Sequence, residues 1–363
     1  MSYSSFQRAA LDLAANTLWN IPGKFQIAHV LGRSYSLRSV VFHHISTKDS
    51  PFTAGMNVRA TPQQFEEALR FLAAHYNPVS LEDVLTDANG RHLPERAVLV
   101  TFDDAYASVA DVAAPLCRRY RVPAVFFVNA AFLDNQRLAP DNLICYVANR
   151  LGMDVIEAAA RTVRDDRGLR LRSLSEVFTG FLPSITLSQR QGFLNEVARL
   201  AEIDPGSLAR KSGLYLTSEQ LGSLSSFGFE IGNHTYSHVH GRALSPQDFV
   251  VEIDRNKAEL EALSGEEVRA FSLPYGSSKD LTPELAGPVR KTRHQVTFLS
   301  ESVANHQGCD RFHLDRVNCR PGSDATLFLE IEILPRLRAV RNKIYGGGMD
   351  LEHRGDSLSL GVN

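Results

Sequence analysis

The chain is expected to be an α/β protein built on a parallel sheet, interrupted by an inserted helical segment. Three observations predict this. Ala97 to Phe102 (AVLVTF) and Ala124 to Asn129 (AVFFVN) are short, continuous apolar runs of the kind buried on both faces in parallel sheets. Tyr106 to Tyr120 lies between them with helical character and short links, which makes a right-handed strand, helix, strand unit. From about residue 134 to 213 the period turns helical and the charge rises, as in DVIEAAARTVRDD and SQRQGFLNEVARLAEI, before the alternating rhythm resumes.

The remaining elements follow in order. Residues 1–37 read as a helical N-terminal extension. Ser39 to Ile45 (SVVFHHI) is a β-rich run that ends by delivering two histidines. Thr61-Pro62-Gln63-Gln64 supplies an N-cap, a proline at the first helical position and a capping-box glutamine ahead of FEEALRFLAAHY. A shorter helix starts after Ser80. Beyond the insertion come a capped helix (TSEQLGSL), a strand from Gly228 to Asn233, a helix from Pro246 to Leu263 between Ser245 and Gly265, and a strand from Val268 to Leu273. Residues 38–320 form the main domain, and 321–363 a C-terminal helix followed by a glycine-rich, polar tail expected to be disordered.

Composition narrows the partners. With 363 residues, 44% hydrophobic and 22% charged, the chain can bury a sizeable core. A formal net charge of -2 gives no long-range pull toward nucleic acid, so no such partner is expected. Arg336, Arg338, Arg341 and Lys343, with Leu337, Val340 and Ile344 between them, read as a solvated helix face, with weak peripheral membrane contact as the lesser alternative. The four cysteines show no CxxC pair and read as reduced thiols, Cys309 and Cys319 among them. No window has the ~20 apolar residues of a bilayer span, and the N-terminus lacks the pattern of an export signal. A cytoplasmic location is the expectation.

Two features carry chemistry. Asp103-Asp104 falls at the carboxyl end of a strand, where open α/β sheets bind ligands. His234-Thr235-Tyr236-Ser237-His238 directly follows another strand, and histidines four apart share one side of a helical turn, so both imidazoles can reach one ion. Asp104 as third ligand would leave coordination positions open for water and substrate. Alone, an Asp-Asp pair is often an N-cap and a histidine is more often structural; together at strand ends they argue for a metal.

In these residues the chain resembles the polysaccharide deacetylases of the NodB-homology type, also called carbohydrate esterase family 4. Thr101-Phe102-Asp103-Asp104 matches the first motif, His234 to His238 the second, and Phe271-Ser272-Leu273-Pro274-Tyr275-Gly276 the third. The resemblance covers roughly residues 38–135 and 213–320. It implies a distorted (β/α) barrel, a divalent metal, zinc by expectation, on Asp104, His234 and His238, and Asp103 as general base. It also implies oxyanion stabilisation at Pro274-Tyr275 through the Tyr275 N-H, and an N-acetylated amino-sugar substrate.

Departures from the family pattern raise further expectations. The C-terminal histidine motif is replaced by Arg311-Phe312-His313-Leu314-Asp315-Arg316, whereas Val41-Phe42-His43-His44-Ile45 resembles the early-strand signature of poly-N-acetylglucosamine deacetylases. His43 is therefore the candidate general acid and His313 the reserve. Ser272 stands where many members have a base-orienting arginine; Arg316 is a candidate substitute, with a structural ion pair equally open. Ala105 replaces a usual glycine, and His240 reads as a loop residue rather than a fourth ligand. Alternatives are deformylation or other amide hydrolysis on a lipid-linked amino sugar, and a sugar-binding protein impaired in turnover.

Overall fold

In the computed structural model, residues 5–31, 35–87, 92–164, 166, 168–319 and 322–345 are described. The expected tail after Tyr345 lies outside them. The strands are β1 (Tyr35–Phe42), β2 (His44–Ile45), β3 (Arg59–Ala60), β4 (Asn77–Pro78), β5 (Ala97–Phe102), β6 (Ala124–Val128), β7 (Glu230–Asn233), β8 (Ala270–Ser272), β9 (Val296–Phe298), β10 (Asn305–His306) and β11 (Val317–Asn318). β1, β5, β6, β7, β8 and β9 lie side by side in that order, all parallel.

The sheet curls, and one short stretch joins its edges. Leu314 exchanges backbone hydrogen bonds with Thr297 and Leu299 beside β9, while β11 pairs in parallel with β1 through Val40↔Val317 and Val41↔Asn318. The result is a distorted (β/α) barrel. Along β5, side chains alternate: Val98, Val100 and Phe102 pack outward toward helix Pro62–His75, whereas Ala97 and Leu99 point inward to Phe127, Phe298 and Leu314. The inward face continues through Thr101 to Asp103.

Register places the site. Phe42 pairs with Phe102, so the next residues, His43 and Asp103, emerge together at the carboxyl edge. Asn233 pairs with both Val128 and Phe271, which brings His234 and the turn after Ser272 to the same rim. Gly232 is required here, because a Cβ would lie 2.3 Å from the Phe127 ring.

The Thr61 capping box forms as its residues predict. Other local expectations shift. The strand expected to run through His43 breaks there into β1 and β2. The helix expected from Tyr106 starts later, as a π-helical turn at Val109–Ala113 leading into Ala114–Tyr120. Between β6 and β7 the chain is helical (Pro140–Leu151, Met153–Val163, Leu187–Leu200 and Pro205–Ser212) and builds a second core around Ile144, Ile156, Phe181 and Phe193. The return stretch is tied to the site turn: Leu216 N donates to Ala105 O and Ala107 N to Leu214 O.

Candidate metal centre

Asp104 and Ala105 both adopt left-handed backbone, with φ of 73° and 56°. For non-glycine residues each such position costs roughly 1–3 kcal/mol. After this turn Asp104 lies near both His234 and His238, while Asp103 lies 3.7 Å from His234 Nε2 and is paired chiefly with Arg316.

The histidines are not on a helical turn. Residues 234–238 form a loop with left-handed Thr235 (φ 60°) and His238 (φ 52°), and Thr235 N donates to Asn233 Oδ1 at 2.9 Å. The helical turn that the spacing predicts is not adopted, yet the loop still brings the two ring centroids to 5.2 Å from each other. Asp104 Oδ1 lies 3.4 Å from His234 Nε2 and 3.3 Å from His238 Nε2. Donors about 2.05 Å from a tetrahedral ion sit about 3.3 Å from one another, which these two separations match, and all three ligand atoms lie within 4.8 Å of one another, so the set could hold a metal ion. The second ring nitrogens are occupied: His234 Nδ1 by Ser272 O at 2.9 Å and His238 Nδ1 by Asp141 at 2.7 Å. An acceptor on each Nδ1 favours the neutral tautomer that leaves Nε2 as the lone-pair nitrogen, the form in which these rings would bind a metal in place of the proton shared with Asp104. Burial raises the Asp104 carboxyl, but the charge of His238 and the hydrogen bond from His234 outweigh it and hold it below the usual range. Burial lowers the His238 imidazole, but Asp104 and Asp141 raise it above the ordinary range.

Asp103 is separately held. The fully buried Arg316 guanidinium grips it at 2.7 Å on both carboxylate oxygens, and also donates to Leu299 O, Thr101 Oγ1, Ser272 Oγ and Ser300 Oγ. Ser272 thus leaves room for an arginine arriving from the seam of the barrel. Burial raises the Asp103 carboxyl, and Arg316 more than reverses this, leaving it lowered and ionised. His43 is part-exposed on the same rim; burial lowers its imidazole, opposed by the charges of Asp104 and Asp103. His44 points away, to Ser108 Oγ at 3.1 Å. His313 sits among Asp310, Arg290 and Glu301 rather than these residues.

Tyr275 occupies a left-handed turn (φ 61°) after Pro274. Gly276 (φ 64°) is confined to glycine, since a Cβ there would lie 2.4 Å from Ser300 Cβ. The Tyr275 ring stacks on His240 at 3.5 Å and lies 4.7 Å from the His238 ring, and its hydroxyl donates to Asp141 at 2.8 Å. His240 bonds Asp280 and Phe178 O, which makes it a loop anchor. Asp141 and Arg190, which donates to His238 O at 2.9 Å, escaped the sequence reading. Both lie in the motif-free insertion, and only the fold brings them to the rim.

A curled parallel barrel with this motif set at its carboxyl edge defines the NodB-type deacetylase class. The family model described as polysaccharide deacetylase matches residues 90–175 and 178–289, more than half of the chain, and the chain belongs to that family. YxkH of Bacillus subtilis (strain 168), which carries a polysaccharide-deacetylase name, is 26% identical over 114 residues, 31% of this chain. The match spans 40% of that relative's length. The fold is similar to the Streptococcus pyogenes deacetylase PplD in complex with acetate (TM-score 0.55, 16% identity, 82% of this chain and 98% of that one). It is also similar to IcaB from Ammonifex degensii (TM-score 0.51, 19% identity, 82% and 97%).

Proposed function

We propose that this chain is a divalent-metal-dependent N-deacetylase, with zinc on Asp104, His234 and His238, that removes acetyl groups from N-acetylated amino sugars of an oligosaccharide, a polysaccharide or its precursor. The observation that carries the reading is the difference between adjacent carboxylates: Asp104 lies 3.4 and 3.3 Å from two histidine nitrogens, while Asp103, 3.7 Å from His234 Nε2, is locked at 2.7 Å in a buried bidentate pair with Arg316. When bound, the metal would acidify the attacking water and polarise the acetamide carbonyl.

The chain's own residues do the rest. Asp103, kept ionised and fixed by Arg316, takes the proton of the water that adds to the carbonyl carbon. The Tyr275 N-H, in the turn set by Pro274, donates to the oxygen on which negative charge develops. The proton taken by Asp103 passes to His43, on the same rim, which delivers it to the sugar nitrogen as the C-N bond breaks, giving acetate and a free amine and returning Asp103 to its ionised form. A cavity of about 470 Å³ beside the histidine loop, lined by Arg137, Arg190, Gln191, Phe132 and Ser237, would hold sugar units next to the one being cleaved.

The test is acetate release by zinc-loaded protein from mono-, oligo- and lipid-linked N-acetylglucosamine, alongside Asp103→Asn. Release by wild type, and its loss in a variant that still binds metal, is the expected pattern. Sugar binding with no acetate from any substrate would refute the reading.

A further inference from the structure

Both histidines turn Nε2 toward Asp104, but of the two Nδ1 atoms only that of His238 meets a carboxylate, and that carboxylate comes from the insertion. His234 Nδ1 donates to a barrel carbonyl, Ser272 O, at 2.9 Å. His238 Nδ1 meets the Asp141 carboxylate at 2.7 Å, with side-chain exposures of 9% and 5% for the two residues. Asp141 sits in the first turn of Pro140–Leu151 after a proline, where the helix dipole favours a negative charge. Its oxygens also accept the Tyr275 hydroxyl at 2.8 and 3.0 Å, which fixes the carboxylate between the second and third motifs. Arg190, from Leu187–Leu200, holds the other end of the ligand by donating to His238 O and Ser237 O at 2.9 and 3.3 Å. That contact secures a residue whose backbone is left-handed.

We propose that Asp141 is a positioning residue for the metal ligand His238, and that with Arg190 it makes the inserted helical segment a structural part of the metal centre. The inference rests on the reading of Asp104, His234 and His238 as ligands. An acceptor on Nδ1 fixes the ring orientation with Nε2 toward the ion, and a carboxylate also makes that nitrogen a stronger donor. The barrel motifs supply the ligands, and the insertion sets how tightly one of them binds.

The experiment is zinc affinity of the full chain by competition with a chromophoric chelator, for wild type, Asp141→Asn, Asp141→Ala and Asp104→Ala, with metal-free melting temperature measured in parallel. Loss of the partner of a ligating histidine weakens binding by roughly 10–100-fold. Asp141→Ala is expected in that range. Asp141→Asn, whose amide oxygen still accepts the Nδ1 proton but carries no charge, is expected to weaken binding less, with an unchanged metal-free melting temperature. If Asp141→Ala does not fold, the asparagine variant alone decides. Wild-type affinity in the Asp141 variants, with binding abolished in Asp104→Ala, would overturn this inference and leave the ligand assignment standing. Wild-type affinity in Asp104→Ala would overturn the assignment itself.

Discussion

Replacing Arg316 by methionine removes the cation from a pair in which the guanidinium is 0% and the carboxylate 5% exposed, with both short contacts at 2.7 Å. Removing one partner of such a pair strands a buried charge and costs roughly 3–5 kcal/mol. At the 2–4 °C per kcal/mol typical of larger domains, the melting temperature should fall on the order of 10 °C at neutral pH. The pH dependence gives the sharper readout. In the wild type, Asp103 has a lowered carboxyl pKa, so its contribution is present above the unfolded value and lost as pH falls through the folded one. Without Arg316 only burial and the weaker histidine charges remain, the folded pKa rises above the unfolded value, and the penalty acts above that raised pKa. The melting deficit should therefore shrink as pH falls from neutral toward the ordinary carboxylate range, and Asp103→Asn added to Arg316→Met should recover much of it at neutral pH. The assay is thermal denaturation of the single and double variants across pH. A deficit that stays constant with pH, or single-variant effects that simply add, would refute the claim that Arg316 acts by compensating Asp103.

His43→Ala should lower kcat by roughly 10²–10⁴-fold, the usual worth of a general acid, while zinc content stays at the wild-type level; unchanged turnover in steady-state assays would reassign the acid. Glu332 is buried against Arg38 at 2.8 Å and also pairs with Arg336. Burial raises its carboxyl, but the two arginines hold it below the usual range, so its contribution is present above the unfolded glutamate value and lost as pH falls through the folded one. Glu332→Gln should destabilise by roughly 3–5 kcal/mol at neutral pH, and the difference from wild type in denaturant titrations should close on acidification.

The parts legible from sequence are those written in local pattern. β5 and β6 are apolar enough on both faces to be found by composition alone, and the strand-end position of Asp103 and Asp104 follows from where those runs stop. Helix Pro62–His75 announces itself because its cap residues are adjacent in sequence. The π-helical start after Tyr106 was not legible, since it follows from a strained turn pinned by residues 214–216, more than a hundred positions away. The histidine loop is a similar case: its left-handed residues are stabilised by Asn233, Glu252 and the insertion. Arg316 could be singled out as a candidate but not weighed, because its burial depends on a two-residue strand closing the barrel. Asp141 and Arg190 carried no signal, since nothing in their neighbourhood distinguishes them from the other charges of an amphipathic helix.

The central claim is that hydrolysis depends on a metal held by Asp104, His234 and His238. It is tested most directly by stripping the protein with a chelator, measuring residual metal, and following acetate release from an N-acetylglucosamine oligomer as zinc is titrated back. The stripped protein should release no acetate, recovery should saturate at a single ion per chain, and His238→Ala should not recover. Undiminished acetate release from metal-free protein would contradict the claim.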